Sequence, residues 1–175
     1  ESSIIALSGA CIMLIIGKQD ANEIISSVEW STIIFFVGLF IVVGGLSECG
    51  VIDSLAQLLI NLTKGNTTYT MCIILWISAV ISSFLDNIPF VATLIPLILT
   101  MEAQGMNVAP LWWATSLGAC LGGNGTLIGA SANVVLANIG EKHGYDISFK
   151  KYLRLGFPVM ILTIAISTVY LLLRY

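Results

Sequence analysis

The chain of 175 residues is strongly apolar: 57% of its residues are hydrophobic, 10% are charged, and the net charge is −3. This composition is typical of a membrane protein and excludes a soluble or disordered domain. The acidic balance leaves no basic patch, so it gives no reason to expect binding to nucleic acid.

Long charge-free stretches predict several membrane-spanning helices. A helix rises ~1.5 Å per residue, so about 20 apolar residues cross a hydrocarbon core ~30 Å thick. The first two spans are expected over residues 2–17 and 30–46, with a loop over 17–29 between them. Residues 51–63 follow with apolar side chains on one helical face, but this segment is too short to cross, so we expect it to lie along the membrane interface.

Asp86 and Asn87 interrupt the next apolar stretch, between arms over residues 69–84 and 88–101. The stretch is either one bent span or a re-entrant hairpin, which enters and leaves the membrane on the same side. Each arm is shorter than the ~20 residues that a crossing needs, and Pro89 suits the first turn of a helix that Asp86 or Asn87 would cap. These features favour the hairpin.

A second interruption divides residues 111–138, which as one helix would be ~42 Å long and too long for a single upright crossing. The Gly-Gly-Asn-Gly run at 122–125 predicts two half-helices, over 111–121 and 126–138, joined by unwound backbone. Irregular backbone at membrane depth is tolerated only where it is buried in protein or lines a watery cavity. The two interruptions therefore predict a substrate or ion site near the bilayer midplane.

The rest of the chain is expected to form a loop over residues 139–151 and a last span over 152–173. Lysine and arginine side chains in and beside this loop make it the best cytoplasmic candidate.

The predicted segments divide the chain into three parts. These are scaffold-type spans with an interfacial helix (1–64), a transport-type region (65–138) with the hairpin (69–101) and the broken helix (111–138), and the cytoplasmic loop with the last span (139–175).

Polar side chains and freed backbone groups at the two interruptions are the candidate ligands. Asp86 is the main candidate, because a carboxylate in hydrocarbon costs several kcal/mol unless it is paired, hydrated or bound to a cation. The alternative is that Asp86 only caps the helix that begins near Pro89. Freed carbonyls over residues 121–123 would suit a hard cation, whereas helix N-termini near Ile88 and Thr126 would suit an anion, so the sign of the substrate's charge stays open.

The predicted site binds a substrate or ion and includes no catalytic residue. Its residues are the polar and glycine positions of the two interruptions and of the segment that follows: Asp86, Asn87, Gly122, Gly123, Asn124, Gly125, Thr126, Ser131 and Asn133. Side-chain oxygens of Asp86, Asn87 and Asn124 would coordinate Na⁺. We expect no cofactor apart from Na⁺ or H⁺ as the coupling ion.

Two motifs resemble a known family: residues 83–90 (SFLDNIPF) and residues 117–135 (LGACLGGNGTLIGASANVV). They are similar to the C-terminal half of the arsenite permease/NhaD-type antiporter (ArsB/NhaD) branch of the ion transporter superfamily, nearest to the P protein (pink-eyed dilution) group. The resemblance implies an all-α membrane protein of the elevator type, built from two inverted repeats that each contain a re-entrant helical hairpin and a broken transmembrane helix. It also implies that this chain is one repeat and that an N-terminal repeat is missing from it.

An ion-coupled secondary active transporter is therefore the expected function. It would act by Na⁺/H⁺ antiport or as a cation-coupled permease for an anion such as arsenite, citrate or a dicarboxylate. The expected partners are the lipid bilayer, a small inorganic or organic ion and a second protomer in a homodimer, in a plasma or inner membrane that the chain crosses several times.

Two other classes of function fit the sequence less well. Intramembrane proteolysis needs two carboxylates or a Ser–His pair, but Asp86 is the one carboxylate at depth and the only histidine, His143, lies in a loop. A membrane subunit that transports nothing would not need two interrupted helices. The chain is therefore not expected to be an enzyme.

Overall fold

The computed structural model describes residues 2–17, 20–28 and 30–175. Regular structure in this part of the chain is α-helical and includes no strand, which confirms the all-α prediction. The helices in chain order are α1 (Ser2–Gly17), α2 (Ala21–Ser27), α3 (Trp30–Glu48), α4 (Val51–Thr63), α5 (Thr67–Ser82), α6 (Asn87–Ala103), α7 (Ala109–Gly122), α8 (Ser131–Lys142) and α9 (Phe149–Arg174).

Apolar length and periodicity predicted the early helices closely. α1 and α4 begin and end at the predicted residues, and α3 continues to Glu48. The prediction of a loop over 17–29 is wrong in part, because α2 lies within this range. Residues 18, 19 and 29 of the range lie outside the described chain. A carboxylate oxygen of Asp20 accepts the N–H of Asn22 at 2.9 Å and caps this short helix, which is a local signal that apolar length does not detect.

The start of α8 differs from the prediction. The sequence placed a helix over residues 126–138, whereas α8 begins at Ser131 and continues to Lys142. Residues 126–130 instead form a turn that packs against the end of α5. The two arms of the predicted hairpin, by contrast, correspond to α5 and α6 with ends shifted by only one or two residues.

The loop between α8 and α9 is shorter than predicted. Its non-helical residues are 143–148, instead of 139–151. Glu141 and Lys142 are good helix formers and extend α8. Gly144, with φ of +83°, then adopts the left-handed conformation that commonly ends a helix.

Packing divides the chain into two units, the first ending at Gly38 and the second extending from Leu39 to Tyr175. The first unit holds α1, α2 and the start of α3. Its apolar side chains are largely exposed, and those of Ile5, Ile15 and Ile16 have 73–77% of their surface accessible. Helices that are apolar on all faces are typical of a surrounding of lipid or of other protein.

The second unit has one helical core, in which α5 packs along α7 and the pair is surrounded by α4, α6 and α9. α6 packs more extensively on α4 and α7 than on α5, so the two arms of the predicted hairpin have different main neighbours. The large side chains that are fully buried come from four of these helices: Met71, Leu75, Ile98, Met101, Leu111, Met160, Ile164 and Leu171.

Gly118 and Gly122 allow α5 and α7 to approach closely. A Cβ atom on Gly118 would lie 2.5 Å from the carbonyl oxygen of Leu75, and one on Gly122 would lie 2.5 Å from that of Ala79. Neither distance is sterically possible without a shift of the backbone. Lipid tails are as apolar as leucine, so membrane helices rely on such small residues for their packing.

We expect Gly118→Ala and Gly122→Ala to lower the free energy of unfolding by ~1–3 kcal/mol, the usual cost of overpacking, because the added methyl group pushes α7 away from α5. Gly44→Ala in α3 is the control, since nothing lies within 4 Å of a Cβ there. Thermal unfolding of the full-length protein in detergent measures all three variants. Equal midpoints would contradict this account of the α5–α7 interface.

α9 is the one helix of the described chain that is long and apolar enough to cross a membrane by itself. Residues 33–48 and α4 are joined by a short break at which the helix axis bends by 67°. Together they would provide a second span if the chain crosses the membrane as one broken helix. α1, α5 and α6 are apolar but shorter. By length and composition, the described helices therefore give fewer clear crossings than the several that were predicted.

Candidate functional site

Asp86 lies where the chain turns from α5 into α6. Its Oδ1 atom accepts the N–H of Ile88 at 3.1 Å, so this side chain is the N-cap of α6. Its Oδ2 atom accepts a hydrogen bond of 3.3 Å from the hydroxyl of Ser131, the first residue of α8. The half-buried carboxylate therefore caps one helix, as the alternative interpretation expected, and also contacts another.

The N-termini of two helices lie beside this carboxylate. α6 begins at the next residue, Asn87, and α8 begins at Ser131. Each helix N-terminus carries about +0.5 of an elementary charge, so the two together roughly balance one ionised carboxylate. Protonation of Asp86, or a cation bound to it, would leave this position positive by about one elementary charge.

Residues 123–130 form the non-helical connection between α7 and α8. The carbonyls of 121–123 were expected to be free, but each accepts a hydrogen bond of 2.8–3.2 Å. The backbone N–H groups of Asn124 and Gly125 donate to the carbonyls of 121 and 122, and the side-chain amide of Asn133 donates to that of 123. The expectation is wrong because the backbone closes two successive turns here and the Asn133 side chain of α8 reaches the third carbonyl. Each carbonyl still keeps a second lone pair.

Buried hydroxyl groups join the end of α5 to this connection and to α7. The Thr126 hydroxyl donates to the carbonyl of Ser83, and the Ser82 hydroxyl donates to the carbonyl of Ala119 in α7 at 2.7 Å. We call these two hydrogen bonds the hydroxyl tie. Gly129 leaves room for it, since a Cβ atom there would lie 2.7 Å from the Ser83 carbonyl oxygen. Thr126, predicted to begin a helix, has this anchoring position instead.

Asn133 supports the same connection from α8. Its side-chain amide donates to the carbonyls of Gly123 at 3.0 Å and Thr126 at 3.1 Å. Both amide hydrogens are therefore used by the backbone, so Asn133 shapes the site and its N–H groups are not available to a substrate.

Asn124 lies on the side of the connection that faces α9. It lines a pocket of about 540 Å³ together with residues of α9 and the preceding loop, including Lys151 and Tyr152. No hydrogen bond within the described residues joins Asn124 to Asp86 or Asn87. Coordination of Na⁺ by these three side chains therefore stays a prediction, and the described residues hold no group of three or more His, Cys, Asp or Glu side chains placed to bind a metal.

Several polar residues of this region were not among the candidates from sequence. Ser82 joins α5 to α7 through its hydroxyl, and Tyr152 lines the pocket beside Asn124. Ser78 lies one helical turn before Ser82 on α5, and that spacing could have indicated a polar face toward α7. The hydroxyls of Ser78 and Thr115 are buried and have no hydrogen-bond partner in the described part of the chain.

Comparison with known proteins identifies relatives of the whole chain. The CitMHS family, described as citrate transporter, matches residues 2–118. A Mycobacterium bovis protein described as an uncharacterized transporter is 45% identical over 179 residues, which cover 100% of this chain and 42% of the relative. The 46 kDa membrane protein of Mycobacterium leprae is 42% identical over 176 residues, which cover 99% of this chain and 41% of that protein.

The P protein of Mus musculus is 43% identical over 180 residues, which cover 98% of this chain and 22% of the P protein. The similarity to P proteins confirms that part of the resemblance seen in the two motifs. No solved structure matches the chain. The chain spans less than half the length of each of these relatives.

These similarities define a class of membrane transporters and not of enzymes. The family model covers more than half of the 175 residues, and the relatives' names are those of transporters and membrane proteins. The chain belongs to the citrate transporter family.

Proposed function

We propose that this chain is part of an ion-coupled secondary active transporter that moves a small anion together with Na⁺ or H⁺. The observation that carries the proposal is the position of the Asp86 carboxylate, which caps α6 and lies 3.3 Å from Ser131 at the start of α8. The description of the family as a citrate transporter supports an organic anion as the substrate.

The charge balance at Asp86 supplies a mechanism of coupling. While Asp86 is ionised, its charge offsets the two helix N-termini, so this position has little attraction for an anion. Once Na⁺ or H⁺ neutralises the carboxylate, the helix N-termini and the Ser131 hydroxyl can bind the oxygen atoms of an anion. Each ion then raises the affinity for the other, which is the thermodynamic coupling that symport requires.

We also propose that α5 and α6 form a re-entrant hairpin and that α7 and α8 form a broken helix, in the transport-type region 65–138 of an elevator-type repeat. The lengths of α5 and α6, which are apolar but short, support the first assignment, and the non-helical residues 123–130 support the second. A second repeat in the full-length protein would complete the site, as the resemblance to the ArsB/NhaD branch implies. Full-length protomers would associate as homodimers in a plasma or inner membrane.

Uptake of radiolabelled citrate into liposomes that contain the full-length protein tests the proposed function. We expect an inward Na⁺ or H⁺ gradient to drive accumulation, and an ionophore that dissipates the gradient to stop it. A pH-sensitive dye in the same vesicles tests Na⁺/H⁺ antiport, which would appear as a change of internal pH on addition of sodium without an anion. Flux equal to that of protein-free liposomes in both assays would contradict symport and antiport together.

A further inference from the structure

The C-terminal end of α9 carries a cation that is held among aromatic rings. The guanidinium carbon of Arg174 lies 5.5 Å from the ring centre of Trp113, 5.9 Å from that of Tyr170 and 5.6 Å from that of Tyr175. Its Nη1 atom donates to the Tyr170 hydroxyl at 2.5 Å. No carboxylate of the described residues lies within 4.0 Å of this guanidinium, so its charge is oriented but not neutralised.

An apolar groove adjoins this cation on the surface of α9. It is a shallow depression of about 490 Å³ on one face of this helix, and its lining residues all belong to α9: Ala165, Ile166, Val169, Tyr170 and Leu173. Ile166, Val169 and Leu173 are 61%, 58% and 84% exposed, so the groove is open to the surroundings of the helix. Tyr170 joins the two features, because its ring lines the groove and its hydroxyl holds Arg174.

We propose that the groove and Arg174 together form a binding site for one phospholipid, with an acyl chain in the groove and the headgroup phosphate on the guanidinium and the Tyr170 hydroxyl. α9 is the described helix that can cross a membrane by itself, and the apolar stretch from Arg154 to Arg174 is ~30 Å long, about the thickness of the hydrocarbon core. Arg174 is therefore near one membrane interface, where tryptophan and tyrosine side chains are enriched. The site is therefore at the depth where a phosphate group lies.

The chemistry of the two features fits an amphiphile with an anionic head. A guanidinium binds phosphate oxygens through its forked N–H groups, and a fixed cation without a carboxylate partner is complementary to an anionic lipid. A soluble anion has no apolar part that could fill the groove. An apolar helix of another protein has no anionic group that could pair with Arg174. The site is separate from Asp86 and does not depend on which substrate is transported.

Native mass spectrometry of the full-length protein with added phosphatidylglycerol or phosphatidylcholine tests this site. The wild-type protein should bind one phosphatidylglycerol in preference to phosphatidylcholine. Arg174→Gln should weaken phosphatidylglycerol binding about fivefold, which corresponds to ~1 kcal/mol for one basic residue near an anionic headgroup, and should remove the preference. Val169→Trp should fill the groove and weaken the binding of both lipids.

Arg154→Gln is the matched control, because Arg154 is an exposed arginine near the other end of the same helix. It should leave lipid binding unchanged. Equal phosphatidylglycerol binding by wild type and Arg174→Gln would overturn the proposal, and so would an equal loss in both arginine variants, which indicates diffuse attraction and not a site. Arg174 is itself exposed, so its variant gives a result even where Val169→Trp disturbs folding.

Discussion

Replacement of Asp86 by asparagine should leave the protein folded and abolish gradient-driven transport. The amide retains an oxygen that can accept the N–H of Ile88, so the cap of α6 is kept. It cannot carry the charge that binds a cation, and opposite unit charges 4 Å apart gain about 4 kcal/mol at an effective dielectric constant of 20. With allowance for solvent screening, cation affinity should fall roughly a hundredfold or more. Uptake in liposomes and the thermal unfolding midpoint measure the two effects separately.

Asp53→Asn provides a control of the same chemistry. The Asp53 carboxylate accepts a hydrogen bond from the Thr100 hydroxyl at 3.3 Å, the same distance that separates Ser131 from Asp86. Loss of this charge on α4 should leave uptake at the wild-type rate. Wild-type uptake by Asp86→Asn, or equal losses in the two variants, would show that coupling does not take place at Asp86.

Gly125→Leu should also abolish transport, for a steric reason. A Cβ atom at this position would lie 2.9 Å from Cβ of Ser83, 3.1 Å from the Gly122 carbonyl oxygen and 3.1 Å from Cε of Met160. Leucine therefore forces residues 123–130 away from the end of α5 and breaks the hydrogen bond between Thr126 and Ser83. We expect uptake to fall to background and stability to fall by ~1–3 kcal/mol, as for other overpacked positions.

Two further variants separate a steric effect from a general loss of glycine. Gly45→Leu in α3 adds the same side chain where nothing lies within 4 Å, and it should retain uptake. Gly125→Ala should give an intermediate loss, because it adds the Cβ atom alone. Hydrogen exchange of the amides in 123–130 should rise in Gly125→Leu, and full uptake together with unchanged exchange would refute the proposed packing.

Helix positions could be predicted from sequence where the signals are local. α4 ends as its periodicity predicts, and Gly50 and Lys64 on either side adopt positive φ. The start of α8 could not be predicted, because the sequence from Thr126 to Ala130 contains no strong local break other than Gly129. Its conformation depends on the Thr126 contact with Ser83, a residue 43 positions away in the chain.

Residue type and position selected the candidate residues, but they did not predict how these residues contact one another. Asp86 and Ser131 were both candidates, yet the contact that joins them spans 45 positions of sequence. Asn133 was expected to bind a substrate, whereas its amide is used by the backbone of 123–130. Hydrogen bonds between distant residues decide such roles, and residue type and spacing do not encode which donor meets which acceptor.

The hydroxyl tie has a mechanical consequence for any transport cycle. It fastens both the connection 123–130 and α7 to the end of α5, while Asp86 and Ser131 connect the start of α6 to the start of α8. As long as these hydrogen bonds hold during transport, the site cannot open by separation of residues 123–130 from α5 or of α6 from α8. Alternating access would then require this whole body to travel, so turnover should depend on the thickness and viscosity of the bilayer through which it slides.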